Sequence, residues 1–376
     1  FLREYVFSLI LDGQVKEAIK QIKRTNNSNF FEANLLLTLD SLTKKKFKQA
    51  EKRLNNLLNF QEDGTYEFVI IKTLESYNYL FLNRKIGKTN RNLGRIDLIT
   101  NAFQNCYLNS KKTNSNFLNL INSPESDYSR YLFFYLGNII ENRDYDMANE
   151  ISKTIEPLKS SLLIAQSNKW IEERNYNKFN HYFSCKSEKD LLAEFFFLIA
   201  NLYSSQDQFK ESNFYLNISN YLNPKFYFNL SLLAENYHLI DNFILAKKTL
   251  NKFSNEEEIY HWYKTKKITQ FLVEQDGDGI ALAYFEKKIK EFKTSDVGFG
   301  VLLSGGIDSY LISKFVSKFS EKKISTYTLG FDEKTFDESK YIKNFKEWDT
   351  NIFNLTDEEY HDNFLEIIKK IDEPIG

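Results

Sequence analysis

Along the first 285 residues, apolar positions recur with the 3.6-residue period of amphipathic helices, and the pattern itself repeats. Six segments open a helix with an apolar residue that is followed three positions later by a usually small one. These second residues are Ala18, Ala50, Ala148, Phe179, Ser212 and Ala246. They lie 31 to 34 residues apart except for one step of 98, which predicts two degenerate repeats between residues 51 and 147. The pattern predicts an array of helix pairs, in which a small residue of the second helix lets the first helix approach closely.

From about Thr294 the spacing of apolar positions no longer follows the pattern of long helices. A short apolar run ends at two glycines, and the segments that follow read as a helix over 308–319, a strand over 323–331, a helix over 337–348, a strand over 351–355 and a helix over 356–371. Short alternating strands and helices predict a parallel sheet with helices on its faces. We therefore expect two domains of different class, an all-α domain over 1–285 and an α/β domain over 286–376.

The turn between the first predicted strand and helix has the sequence SGGIDS, residues 304–309. Gly305 and Gly306 remove side chains, so that main-chain N–H groups can point into one concavity at the start of a helix. Ser304 and Ser309 add hydroxyl donors for phosphate oxygens. Asp308 would be repelled by a polyphosphate unless a cation lay between them, so it predicts a bound Mg²⁺. An ordinary strand-to-helix turn is the alternative.

Charge and composition narrow the choice of partners. The 50 basic and 51 acidic residues balance, which gives no global attraction to nucleic acid or to an anionic membrane. The 2 cysteines, Cys106 and Cys185, are far apart in sequence and lack metal-site spacing, so we expect no disulfide framework and a reducing, cytoplasmic location. There is no long uncharged apolar run that would span a membrane. The four histidines form no cluster in the sequence.

The repeated helix pairs over about 1–285 resemble the tetratricopeptide family, which implies a right-handed solenoid of about eight pairs and a protein or peptide partner. The segment 201–250, in which Pro224 ends one pair before the next begins, carries the resemblance most clearly. A helical array without a binding role would give the same pattern and is the alternative. The basic stretch 84–95 is interpreted as a solvated loop between repeats, with a contact to phosphate or acidic partners as the alternative.

The loop 304–309 resembles the pyrophosphate loop of the ATP pyrophosphatases. Its flanks narrow the resemblance, since "SDVGFGVLLSGGIDSYLIS" (295–313), "YTLGFDEKTFDESKY" (327–341) and "IDEPIG" (371–376) together resemble the synthetase domain of glutamine-dependent asparagine synthetase. The resemblance covers about residues 281–376. It implies the N-terminal part of an adenine nucleotide alpha hydrolase-like fold.

The resemblance also implies site residues and substrates. ATP and aspartate would be the substrates, Ser304 to Ser309 would hold the phosphates that leave as pyrophosphate, and Asp308 would help to bind Mg²⁺. Leu303 and Leu329, at the ends of the first two strands, would bracket the adenosine by apolar and main-chain contacts, with Gly330 allowing close approach. Five acidic residues are expected near the carboxyl ends of the strands, and by default they are interpreted as parts of solvated loops. They are Asp332, Asp337, Glu338, Asp372 and Glu373.

The sequence also departs from the family pattern. Family members begin with a catalytic cysteine in a β-rich glutaminase domain, whereas this chain begins with Phe1 and helical repeats. The family's aspartate-activating residues would lie beyond Gly376, so no catalytic residue is assigned and we expect this fragment to bind ATP·Mg²⁺ without forming asparagine. A helical scaffold that carries a silent nucleotide domain is the alternative function, and an artificial join near 285–295 is a third reading of the same chain.

Overall fold

The protein is described by a computed structural model over residues 1–25, 29–60, 62–87, 93–122, 129–154, 161–292, 300–304, 306–318, 320, 323–331, 339–342 and 347–356. The chain forms two compact units, Phe1–Lys264 and Thr265–Gly376. The first is helical, and in its described residues the second holds the end of one long helix, three further helices and a parallel sheet. The division falls inside a helix, earlier than the domain boundary expected at 285/286.

The helical unit consists of helices that follow one another closely along the chain. They are α1 Leu2–Leu11, α2 Val15–Thr25, α3 Phe31–Thr43, α4 Phe47–Leu57, α5 Tyr66–Asn83, α6 Arg95–Tyr107, α7 Thr113–Ile121, α8 Ser129–Glu141, α9 Tyr145–Lys153, α10 Leu162–Glu172, α11 Asn177–Tyr182, α12 Glu188–Ser204, α13 Phe209–Leu222, α14 Leu230–Leu239 and α15 Phe243–Leu250, with short 3₁₀ segments at Leu58–Phe60 and Tyr227–Asn229. Helix α16, Glu258–Asp276, begins in this unit and ends in the second. None of the helices in the described ranges is both long enough and apolar enough to cross a membrane.

The turns inside the six predicted helix pairs share one backbone geometry. Each contains a residue with a positive φ of 56° to 76°, placed two positions before the second helix, or three positions for Arg174: Gly13, Lys45, Arg143, Arg174, Asp207 and Asp241. The next residue donates its N–H to the carbonyl five residues earlier, as Lys46 does to Ser41 at 2.9 Å. This is the Schellman arrangement, which satisfies the last carbonyls of a helix and reverses the chain. A local hydrogen-bonding motif therefore generates every one of these pairs.

The positions expected to lie between paired helices are buried. Ala18, Ala50, Ala148, Phe179, Ser212 and Ala246 are all 0% exposed. The second helices α2, α4, α9, α11, α13 and α15 carry them, so the predicted helix pairs are present at all six places. The tetratricopeptide resemblance itself stays a prediction.

Between residues 51 and 147 the described chain contains one further pair of the same kind, α6 and α7. Its turn has Asn109 at φ 51°, and the N–H of Ser110 donates to the carbonyl of Asn105 at 2.9 Å. The segment that follows α5 instead packs against α5 and α6. The N–H of Gly87 donates to the side-chain oxygen of Gln104, and the carbonyl of Gly87 accepts a hydrogen bond from the Ser76 hydroxyl. The start of the basic stretch 84–95 is thus partly packed, whereas its residues 88–92 lie outside the described ranges.

The helical unit differs from a solenoid in which each repeat contacts only its neighbours. Helices α12 and α13 are buried on most sides and pack against helices from the start of the chain. The ring of Phe214 stacks on Phe7 with centroids 4.8 Å apart, and the Asn217 side chain donates to the carbonyl of Leu11 at 3.1 Å. Because residues some 200 positions apart meet in this way, the early repeats close onto the α12–α13 hairpin.

A buried ion pair lies inside this unit. Arg130 of α8 donates two parallel hydrogen bonds to the Glu194 carboxylate of α12, at 2.9 and 2.8 Å, and the Glu194 side chain is only 2% exposed. The guanidinium also donates to the side chain of Asn229 and lies 4.0 Å from the centre of the Phe197 ring. The pair therefore ties α8 and α12 to the 3₁₀ segment before α14.

The expectation that the cysteines remain unpaired is wrong for this structure. Cys106 of α6 and Cys185, which precedes α12, form a disulfide across 79 residues of sequence. The physical reason is tertiary: Phe103 and Phe183 pack with ring centroids 5.9 Å apart, and this contact brings the two segments together. Both cysteines are at most 3% exposed.

The second unit contains α17, Asp278–Phe292, followed by strand β1 Gly300–Leu302, helix α18 Ile307–Lys318, strand β2 Ser325–Phe331, the short helix α19 Ser339–Ile342 and strand β3 Asp349–Leu355. The strands are parallel and ordered β1-β2-β3, so the expected parallel sheet is present. Helix α17 packs on α18 through Phe285 and Phe315, and Lys318 pairs with Glu286 at 2.8 Å. The predicted helix 337–348 is shorter, since residues 347 and 348 are not helical, and the predicted helix 356–371 falls almost wholly outside the described residues.

The disulfide should stabilise the helical unit. Closing a loop of 79 residues restricts the unfolded chain and is worth on the order of 4 kcal/mol. We expect a reductant to lower the melting temperature of the parent protein, as measured by circular dichroism. The double variant Cys106→Ser/Cys185→Ser is the control, because its melting temperature should not respond to the reductant. An equal response of parent and variant would contradict the assignment.

The buried ion pair gives a second stability prediction. Glu194→Gln leaves the Arg130 charge buried without its carboxylate, so we expect a loss of about 3 to 5 kcal/mol in unfolding free energy by urea titration. Glu17→Gln is the matched control at the surface pair with Lys20, where we expect a much smaller loss. The double variant Arg130→Met/Glu194→Leu should lose less than Glu194→Gln alone. A similar cost for Glu194→Gln and Glu17→Gln would show that the buried pair does not hold the helices together.

Candidate functional site

The loop between β1 and α18 lies at the carboxyl end of the sheet. Strand β1 pairs with β2 from Gly300 opposite Ser325 to Leu302 opposite Tyr327. The pairing extends one step further, since the N–H of Leu303 donates to the carbonyl of Tyr327 at 2.8 Å. Helix α18 begins at Ile307, three residues after Ser304. Parallel α/β sheets bind their ligands at this edge, so the loop is correctly placed for a ligand.

The two serines of the loop form one hydroxyl cluster. The hydroxyl oxygens of Ser304 and Ser309 are 3.0 Å apart, and the N–H of Ser304 donates to the Ser309 hydroxyl at 3.1 Å. The hydroxyl of Ser309 also donates to the carbonyl of Gly306 at 3.1 Å. A local network thus joins the first turn of α18 to the end of β1, five residues earlier in sequence.

One face of the sheet is covered by helices. Leu303, Ile324, Ile342 and Trp348 form a buried cluster, with Tyr310 of α18 packed against it. This cluster fixes α18 against β1 and thereby fixes the loop between them. The Leu303 side chain belongs to the cluster and is only 1% exposed, so it is the main chain of Leu303 that lies at the edge of the sheet.

Leu329 lies on the opposite face from Leu303. Alternation along β2 buries Thr326 and Thr328 and exposes Tyr327 and Leu329, which are 40% and 42% exposed. Leu302 and Phe353 flank them on the same face, at 58% and 54% exposed. Parallel sheets carry a layer on each face, and within the described ranges this apolar face has none. The structure therefore separates the side chains of the two leucines expected to bracket an adenosine.

Gly330 is packed rather than open. An added Cβ would lie 2.4 Å from Oδ1 of Asn354 and 3.4 Å from the hydroxyl of Ser339. The missing side chain thus gives room to β3 and to α19 on the helix-covered face. Its expected role, close approach of a nucleotide, stays a prediction.

Several predicted site residues fall outside the described parts of the chain. They are Gly305, Asp332, Asp337, Glu338, Asp372 and Glu373. Asp308 is the second residue of α18, but its side chain also lies outside what is described. Within the described residues no group of three or more His, Cys, Asp or Glu side chains could hold a metal ion.

Two polar residues without a predicted role, Thr328 and Ser313, support the loop. The hydroxyl of Thr328 donates to the carbonyl of Leu303 at 2.8 Å, and the hydroxyl of Ser313 donates to the carbonyl of Ser309 at 2.8 Å. Both side chains are buried, at 3% and 0% exposed. The alternation of threonine with larger residues over 325–329 was the available signal, because it puts Thr326 and Thr328 on one face.

A basic side chain flanks the helix that follows the loop. Lys314, two turns into α18, donates to the Glu347 carboxylate at 3.0 Å. This hydrogen bond raises the pKa of the Lys314 ammonium. The Lys314 side chain is exposed, so the pair orients a surface charge near β3 rather than adding stability.

Comparison with known proteins finds a similarity in the C-terminal part of the chain. Residues 283–376 match the family model described as asparagine synthase. The chain is also 31% identical over 133 residues to a protein of Methanocaldococcus jannaschii named "Putative asparagine synthetase (glutamine-hydrolyzing) 2". That similarity covers 31% of this chain and 24% of the relative, so the chain spans about a quarter of the relative's length. No solved structure matches the chain at a significant level.

The matched segment contains the whole described sheet, helix α18 and the serine loop. The helical unit Phe1–Lys264 lies outside it. The match to the asparagine synthase family model therefore falls on the α/β region.

Proposed function

We propose that the α/β region is the ATP-binding part of an ATP-dependent amide ligase of the asparagine synthetase type. In this reaction the aspartate β-carboxylate is activated as an acyl-adenylate with release of pyrophosphate, and ammonia then displaces AMP from the adenylate. The observation that carries the proposal is the hydroxyl cluster of Ser304 and Ser309 at the carboxyl edge of a parallel sheet, within a segment similar to asparagine synthase.

The loop has the donors that a phosphate group requires. A hydroxyl rotates freely about its C–O bond, so Ser304 and Ser309 can each direct a hydrogen toward an anion. The first N–H groups of α18 have no partner within the helix, and the helix dipole adds partial positive charge at the same place. Ser304 is exposed, which leaves the cluster accessible. These donors would hold the phosphates that leave as pyrophosphate.

Asp308 and a Mg²⁺ ion complete the proposed phosphate site. Asp308 belongs to the first turn of α18 and precedes Ser309 directly in sequence, and its carboxylate is the proposed ligand of the ion. Carboxylate and phosphate oxygens are the ligands that Mg²⁺ prefers, so this donor set fits the ion. When bound, Mg²⁺ would neutralise negative charge on the departing pyrophosphate.

The adenosine is proposed to lie at the ends of β1 and β2. Leu303 can contribute its main chain there, since its side chain is buried in the core cluster. Leu329 can contribute an apolar side chain, because it is 42% exposed. Aspartate is the proposed second substrate, which follows from the similarity to asparagine synthase.

The metal role of Asp308 is tested by binding. We expect the parent protein to bind ATP more tightly with Mg²⁺ than with EDTA in isothermal titration calorimetry, and Asp308→Ala to abolish that difference. Asp349→Ala is the matched control, since Asp349 is exposed at the amino end of β3, the opposite edge of the sheet. If Asp308→Ala retains the full effect of Mg²⁺, the carboxylate does not hold the ion.

The serine cluster is tested by Ser309→Ala. A hydrogen bond to a charged phosphate contributes about 1.5 to 3 kcal/mol, so its loss should weaken ATP·Mg²⁺ binding roughly tenfold to a hundredfold. Ser317→Ala is the control, because it makes the same change in the last turn of α18, away from the loop. Unchanged ATP affinity in Ser309→Ala, with the fold intact by circular dichroism, would remove the loop from the nucleotide site and with it the proposed ligase function.

A further inference from the structure

The helical unit contains a basic cleft far outside the segment similar to asparagine synthase. Its volume is about 550 Å³, and helix α2, the end of α3 and helix α13 form its walls. We call it the α2 cleft and define it by its lining residues: Lys16, Ile19, Lys20, Lys23, Arg24, Asp40, Lys44 and Tyr221. A volume of this size is typical of small-molecule sites.

The cations of the α2 cleft are concentrated on one helix face. Lys16, Lys20, Lys23 and Arg24 recur at the three- and four-residue spacings that align side chains along α2. Lys44 adds a fifth cation from the end of α3, and Asp40 is the one carboxylate of the lining. The whole chain has a formal net charge of −1, so this excess of positive charge is local.

Ion pairs hold part of this charge in place. Asp40 accepts from Lys23 at 2.5 Å and lies 2.7 Å from the Lys44 ammonium. Burial opposes ionisation of Asp40, but the hydrogen bonds from the two lysines outweigh it and lower the pKa of its carboxyl. Asp40 is thereby kept charged, and it orients two ammonium groups into the cleft.

Two cations of the cleft are not neutralised in this way. Among the described residues, Lys16 and Arg24 have no carboxylate oxygen within 4.0 Å of their charged nitrogens, whereas Lys20 pairs with Glu17 at 3.3 Å. Both side chains are exposed, so both can turn toward a ligand.

Ile19 and Tyr221 are the two uncharged residues of the lining. Ile19 is 5% exposed, and Tyr221 is half-buried on α13. Burial raises the pKa of the Tyr221 hydroxyl, so the group stays protonated and can donate a hydrogen bond. Helix α13 is itself packed against α1 through Phe214 and Phe7, which fixes this wall relative to α2.

From this arrangement we propose that the α2 cleft binds a small ligand that bears two or more phosphate groups. Lysine ammonium groups act as point charges that can surround a compact multivalent anion without a fixed fork geometry. The small volume favours a small molecule over an extended chain. The site is independent of the loop 304–309 and does not rest on the proposed ligase function.

The first experiment measures affinity for tripolyphosphate at physiological salt by isothermal titration calorimetry on the full chain. Lys16→Gln/Arg24→Gln removes two cations while leaving the ion pairs of Asp40 intact, and we expect at least a tenfold loss of affinity. Lys111→Gln/Lys112→Gln is the matched control, because these lysines are exposed and lie outside the cleft. The proposal is overturned if the control loses as much affinity as the cleft variant, or if the parent protein does not bind.

The second experiment locates the ligand. Tripolyphosphate should protect Lys16, Lys20, Lys23 and Lys44 from amine acylation, read by mass spectrometry, and leave Lys111 and Lys112 unprotected. The same protection is expected in Ser309→Ala, which separates this site from the nucleotide loop. Protection that is lost in Ser309→Ala would overturn the proposal. Displacement of tripolyphosphate by a lower concentration of a decaglutamate peptide or a single-stranded oligonucleotide would replace it with a macromolecular partner.

Discussion

The bidentate contact between Arg130 and Glu194 is the interaction on which the helical unit depends. It joins α8 to α12 in the interior, where the Glu194 carboxylate is 2% exposed. A charge in such a place is tolerated only with its partner in register, because an unpaired buried charge costs several kcal/mol. The pair therefore selects one packing of α12 against α8, and the aromatic ring of Phe197 covers the guanidinium.

Helix α13 packs against α12, and together the two helices contact both early and late helices of the unit. The α12–α13 hairpin contacts α1 and α3 on one side and α14 on the other. It also carries Tyr221 to the wall of the α2 cleft. The cleft consequently exists only because residues separated by about 200 positions meet, and its lysines would be an ordinary solvated helix face without α13 behind them.

In the α/β unit the corresponding constraint is parallel strand pairing. Since β1, β2 and β3 point the same way, their carboxyl ends lie at one edge, and the loop that follows β1 opens there. The buried cluster of Leu303, Ile324, Ile342 and Trp348 then fixes the angle at which α18 leaves that edge. The proposed phosphate site therefore depends on this buried core. The alternation of side chains along the strands places Leu329 and Phe353 on the opposite, exposed face.

The sequence by itself determined the features that arise from local physics. Helical periodicity, small residues at the pair contacts, the change to short strands near residue 300 and the serine–glycine loop are all encoded within windows of about ten residues. Tertiary structure alone decided the pairing of Cys106 with Cys185, the closure of early helices onto α12 and α13, and the opposite faces taken by Leu303 and Leu329. Those outcomes depend on contacts between residues distant in sequence, and no local pattern records which distant segments will share a core.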